Sequence, residues 1–212
     1  MKKTTFIQTL TLSVILLLLA GCFGSKKTAP VATQTPELSS IIVLPVATLV
    51  SSDDQTNLQR AQQLAHGAEA MNRILSDYFA DNDTVKVVSP EQFQVLTENY
   101  RKSRAEQARE IGQRLGCDAV LLTTINRYIE RKGGDYSADQ PASVAFDFKL
   151  MATKSGRTIC SGYFDESQKS LFENLLSFSG AAKRKFKWIT AADLATEGIQ
   201  QRFATCPNLR RP

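Results

Sequence analysis

The sequence predicts an α/β (α+β) domain in which helices pack on a mixed five-stranded sheet, in the order βαβααβββα. Three observations predict it. Ile41-Ile42-Val43-Leu44-Pro45-Val46-Ala47 is a continuous apolar run, the pattern of a strand buried on both faces. From about Asn57 to Ala80, apolar side chains recur at helical spacing. Ala142 to Thr153 alternates strictly and puts Val144, Phe146, Phe148 and Leu150 on one face of a strand. Right-handed crossovers set the first three strands parallel, and short turns set the last three as an antiparallel meander.

The elements follow in order. Pro45 brings no ladder donor to the first strand, which implies a bend or a sheet edge there. In the long helix Leu58, Ala61, Ala65, Ala68, Leu75 and Phe79 form the apolar stripe, flanked by Leu64, Met71 and Tyr78. Asp81-Asn82-Asp83 ends that helix, and Thr84 to Val88 reads as a short strand. Ser89-Pro90-Glu91-Gln92 opens a helix with a serine cap, proline at the first position and glutamine three residues on. Ser103-Arg104-Ala105-Glu106 repeats that logic in a helix expected to bury Ala108, Ile111 and Leu115 and to stop at Gly116. Asp118 to Arg131 reads as a strand, with a loop at Lys132-Gly133-Gly134-Asp135. After the alternating strand, Lys154-Ser155-Gly156-Arg157 is a tight turn into Thr158 to Glu166. Helical patterning returns at about Leu171 to Phe178, and Thr190 with Asp193 caps a last helix reaching about Ala204.

Ahead of the domain, residues 1–21 read as a secretory signal: Lys2-Lys3, an apolar run from about Leu10, then small residues. The apolar run falls short of the ~20 residues a spanning helix needs. Leu19-Ala20-Gly21-Cys22 resembles the lipobox of bacterial lipoproteins. That resemblance implies cleavage before Cys22, a diacylglyceryl group on its sulfur and an acylated amino group, palmitate among the acyl chains. Phe23 follows, where many inner-membrane lipoproteins carry Asp, so the resemblance implies anchoring at the outer membrane with the domain facing the periplasm. Two or three acyl chains make release negligible, since each buried methylene contributes about 0.8 kcal/mol. Residues 22–40 form the lipidated cysteine and a tether rich in Gly, Ser, Thr, Pro, Ala and Lys, reaching at most about 60 Å. The domain spans 41–205, and 206–212 is a C-terminal tail.

Composition bounds the function. Hydrophobic residues make up 42% and charged residues 22%, as in an ordinary globular domain. The 26 Lys and Arg, less Lys2 and Lys3 of the signal, leave 24 against 21 Asp and Glu. That balance gives no basis for a nucleic-acid partner.

A second resemblance rests on three stretches: Ile41-Ile42-Val43-Leu44-Pro45, Gly116-Cys117-Asp118-Ala119-Val120-Leu121-Leu122, and Ser155-Gly156-Arg157 before Thr158-Ile159-Cys160-Ser161. Together these look like the superfamily of the curli-secretion lipoprotein, the lipoprotein activators of penicillin-binding proteins, and the amino-terminal domain of the Tol–Pal propeller protein. It covers about Ile41 to Thr205. It implies a domain that works by protein contact, with no catalytic residues to carry over. The chain departs from those relatives in a tether too short to reach an inner-membrane synthase. It also has no long amphipathic insert of the pore-hairpin kind.

Candidate sites are few. His66 is the single histidine and lies off the apolar stripe, without partners at catalytic or metal-binding spacing. Asp81-Asn82-Asp83 begins like a calcium loop, but Lys86 and Gln92 occupy the positions that require Gly and Glu. Neither a metal nor a cofactor is expected. Beyond Cys22, Cys117, Cys160 and Cys206 remain, and an odd number leaves at least one thiol unpaired. Cys117 and Cys160 fall two strands apart, about 9–10 Å and beyond disulfide reach. The last helix should carry Cys206 back toward Cys160, so either those two pair or all three thiols stay free and mostly buried.

Lys183-Arg184-Lys185-Phe186-Lys187-Trp188 is a basic and aromatic cluster that suits anionic headgroups or a protein partner. The plainer reading is a solvated loop with one aromatic tucked into the core. Thr48 to Asn57 follows the first strand at the sheet end where ligands bind in open α/β folds, with Asp53 and Asp54 at its centre. The function expected is thus a non-catalytic envelope lipoprotein that docks an envelope protein or self-associates. The alternatives are a periplasmic small-ligand binder and an unrecognised hydrolase.

Overall fold

Pro45 splits the first apolar run in two. β1 (Ile41–Val43) and β2 (Ala47–Thr48) are separate strands, because proline brings no N–H to a ladder. The computed structural model describes residues 38–48, 58–97, 102–135, 137–168 and 187–211, all within the unit Thr35–Pro212. Further along these residues come α1 (Leu58–Tyr78), β3 (Val85–Val87), α2 (Pro90–Leu96) and α3 (Arg104–Arg114). Then follow β4 (Ala119–Ile129), β5 (Lys132–Gly133), β6 (Ala138–Gln140), β7 (Ser143–Ala152), β8 (Thr158–Ser167), α4 (Ala191–Phe203) and a 3₁₀ turn at Pro207–Leu209.

The main sheet runs β3-β1-β4-β7-β8, with β2 also paired to β4. β1 is parallel to both β3 and β4, and β4, β7 and β8 are antiparallel, as the sequence predicts. The sheet counts six strands where five are expected, because the bend at Pro45 makes two strands of one. Pro45 marks the bend and not an edge: β1 is flanked on both sides. Side chains satisfy the groups the break exposes. Val46 N donates to Asn72 Oδ1 at 2.8 Å, and the Arg104 guanidinium donates to the Pro45 carbonyl.

Two apolar layers enclose the sheet. On one face, Ile41, Val43, Leu121, Val144, Phe146, Phe148 and Leu150 pack with Leu64, Met71 and Leu75 of α1 and Leu194, Ile199 and Phe203 of α4. On the other face, Ile42, Leu44, Val120 and Met151 meet Ala108 and Ile111 of α3. That division explains why β1 carries apolar residues without alternation. Toward β7 and β8 the second face is polar: Lys149, Ser161, Tyr163 and Asp165 are exposed on it.

Several expectations shift. α1 buries Leu64, Gly67, Ala68, Ala70, Met71, Leu75 and Tyr78, while Leu58 is 69% exposed and Ala65 faces solvent. Gly67 helps to set this face, because its missing side chain lets the helix lie against Tyr128; a Cβ there would sit 2.5 Å from Tyr128 Cβ. Leu115, expected in the core, caps the end of α3 and is 47% exposed, with Gly116 at φ 68° turning the chain away. β4 reaches β7 through the β5–β6 ribbon and not through a short turn.

Of the C-terminal stretch assigned as a tail, residues 206–211 pack on the domain. Cys206 and Leu209 are buried, Tyr78 Oη donates to the Leu209 carbonyl at 3.1 Å, and Arg211 Nε donates to the Tyr78 carbonyl at 3.0 Å. The helix patterned at 171–178 lies outside the described residues.

Candidate functional site

Three capping boxes fix the helix starts named from sequence. Ser89 with Gln92, Ser103 with Glu106 and Thr190 with Asp193 each exchange side-chain and backbone hydrogen bonds. The positions of the domain's functional groups follow from these elements.

The chain enters β1 through a clamp on Asp118. Its carboxylate accepts from Ser39 N at 3.0 Å, Ser39 Oγ at 2.6 Å and Ser40 N at 3.2 Å. These bonds, those from Ser39 foremost, hold the Asp118 carboxyl below the ordinary carboxylate range. Leu38 packs on the main core, so the last three residues assigned to the tether belong to the domain.

Cys160 on β8 and Cys206 after α4 form a disulfide across 46 residues, with their Cα atoms 6.0 Å apart. Cys117 is free and buried, and Ser40 Oγ donates to its sulfur at 3.2 Å. Cys160 pairs because α4 returns along β7 and β8, with Phe203 edge-on to Phe148 at 4.8 Å.

Of the basic and aromatic cluster, Lys183, Arg184, Lys185 and Phe186 lie outside the described residues. Lys187 is exposed and lies 3.7 Å from Asp135. Trp188 is half-buried, and its backbone is fastened at both ends: its N–H donates to the Asp135 carbonyl at 2.7 Å, and its carbonyl accepts from Arg131. Arg131 also pairs with Asp135 at 2.8 Å, and this bond holds the Asp135 carboxyl low. Asp53 and Asp54 lie outside the described residues, as does Cys22. His66 is exposed, its ring edge-on to Tyr128 at 5.7 Å. Burial pushes the Tyr128 hydroxyl up to about 12. Among the described residues no group of three or more His, Cys, Asp or Glu is placed to hold a metal ion.

One concave surface stands out that the sequence reading did not name. A groove of about 840 Å³ runs beside the edge strand β3, between β1 and α2. Its floor is Ile42, Val88 and Cys117; Val95 and Leu115 stand on its walls, and Lys86 and Glu91 carry its charges. Val95 is 83% exposed. A signal for it exists in the sequence. α2 is only seven residues long yet carries Phe93, Val95 and Leu96. At helical spacing Phe93 and Leu96 share a face while Val95 points the other way.

Among the described residues no helix is long and apolar enough to cross a membrane. No protein-family model and no curated protein matches the chain. Solved structures do resemble it. A PelC dodecamer from Paraburkholderia phytofirmans is 11% identical, covering 82% of this chain and 89% of that one, at a TM-score of 0.46. The LpoB C-terminal domain from Escherichia coli is 18% identical over 62% of this chain and 84% of its own, at 0.37. Lipoprotein GNA1162 from Neisseria meningitidis is 16% identical over 69% and 94%, at 0.35.

Proposed function

We propose that this chain is a non-catalytic envelope lipoprotein. An acylated Cys22 holds it at the outer membrane, and its periplasm-facing domain acts by contact with other proteins. The observation that carries this reading is Leu19-Ala20-Gly21-Cys22 closing a short apolar run behind Lys2-Lys3. The domain supports it by how its charged groups are used. Asp118 clamps the chain into β1, Asp165 pairs with Arg127, and Asp135 pairs with Arg131. The Cys160–Cys206 bond suits an oxidising extracytoplasmic compartment. The groove beside β3, by contrast, offers the apolar side chains Ile42, Val88, Val95 and Leu115 for contact.

Mass spectrometry of the mature product tests the anchor. The expected species begins at Cys22 and carries two or three acyl chains, and Cys22→Ser abolishes the added mass and membrane retention. An unmodified chain beginning at Met1 ends the reading. Crosslinking in intact cells tests the contact role: the expected product is heavier than the chain alone and contains an envelope protein or a second copy.

A further inference from the structure

Two properties of the groove beside β3 point to what fills it. The first is shape. Val95 at 83% and Leu115 at 47% exposure are two of the four large hydrophobic side chains that stand exposed among the described residues, and both line this one groove. They project beside a recessed floor of Ile42, Val88 and Cys117, so a single patch holds both apolar knobs and the hollow that would receive them. The second is charge. Lys86 on β3 and Glu91 on α2 line the same groove, and among the described residues neither is paired with an opposite charge. Glu91 instead accepts a hydrogen bond from Ser89 Oγ at 2.7 Å. A purely anionic or purely cationic ligand would leave one of these charges facing its own sign.

A twofold contact uses the same patch on both copies, and a surface with both knob and hollow, and with both signs of charge, supplies the matching parts. We propose that this groove is the interface of a homodimer. It rests on the protein-contact reading above and names the partner as a second copy of this chain. The twofold lays Val95 and Leu115 of each copy toward the other's floor of Ile42, Val88 and Cys117. It sets Lys86 of each copy opposite Glu91 of the other. It also shields the outer edge of β3, with which no strand pairs among the described residues. Because the contact is isologous it closes at two copies and does not propagate.

The test uses the full lipidated chain in a nonionic detergent, followed by sedimentation velocity. Wild type sediments as a reversible dimer. Val95→Glu sediments as a monomer, while its thermal unfolding midpoint, compared at a dilution where wild type is also monomeric, stays within about 2 °C of wild type, because an exposed side chain contributes little to folding. Lys86→Glu and Glu91→Lys each weaken association by about tenfold, since each sets like charges together at two symmetry-related sites.

Mixing those two variants discriminates further. In the mixed dimer both charge pairs are opposite again, so it re-forms with about wild-type affinity. Pairing within one chain would give no such recovery. A wild-type monomer at about 100 μM, or a mixture that associates no better than its parts, overturns the proposal. Should the chain instead be a monomer that cells crosslink to a different protein through residue 95, the homodimer falls and the contact reading stands.

Discussion

Asp118 sits where β1 begins, and its three accepted hydrogen bonds give the junction a pH dependence of known sign. Its carboxyl is a stronger acid folded than unfolded. The stabilisation is therefore complete above the ordinary carboxylate value of about 4 and is lost as pH falls through the depressed folded value. Because the group is solvent-accessible, its worth is about 1 kcal/mol at neutral pH. Comparing thermal unfolding of wild type and Asp118→Asn from pH 7 to 3 should show a gap that closes on acidification; a constant gap would refute the clamp. Gly67 makes a steric prediction. Alanine there would place Cβ 2.5 Å from Tyr128 Cβ and 2.7 Å from its Cγ. The helix-propensity gain of about 1 kcal/mol is outweighed by overpacking, for a net loss of about 1–2 kcal/mol by urea titration. Neither role can be read from sequence, since Asp118 and Gly67 meet their partners only through the fold. The capping serines and Thr190 could be read, because their partners stand three residues away.

At the scale of elements, what could be foreseen divides by how far a contact reaches along the chain. β7 showed its buried face by alternation alone, and Val144, Phe146, Phe148 and Leu150 are all buried. α1 was located correctly but its face was rotated. Ala61 and Ala65 fit a helical stripe as well as Gly67 and Met71 do, and only the sheet beneath decides between them. The stretch after α4 shows the same limit. Nothing local marks Leu209 as buried; the disulfide and the hydrogen bond from Tyr78 place it. That disulfide closes a separation of 46 residues. Cys206→Ser should therefore cost about 2–4 kcal/mol, read as a lowered midpoint in denaturant. It should also raise the exchange of amides in 207–211, while β4 stays protected. Equal destabilisation of β4 and the C-terminal stretch would show that the bond braces the whole domain and not this strap.

For the whole molecule, the order of strands and helices was legible because hydrophobic period and caps are local signals. The groove was not, because it depends on three elements stopping short of one another: α2 after seven residues, α3 at Leu115, and β3 at the sheet edge. The same layering sets a gradient of stability. β4 has β1 and β2 on one side and β7 on the other, with apolar layers above and below, whereas the β5–β6 ribbon is short and largely exposed. Among the described strands, native-state hydrogen exchange should find the slowest amides in β4 and β7 and the fastest in β5 and β6. If the ribbon exchanges as slowly as the centre, the domain opens only as one unit.

β1 has a mechanical consequence. A strand that the chain enters at its N-terminal end and that is held between two parallel neighbours takes any pull on that end lengthwise. Its ladder bonds on both flanks then share the load in shear, and must break together instead of unzipping one by one. Optical-tweezers extension from the N-terminal side should accordingly meet a single high-force rupture. A handle placed on β8, the opposite rim, should peel the domain apart at much lower tension.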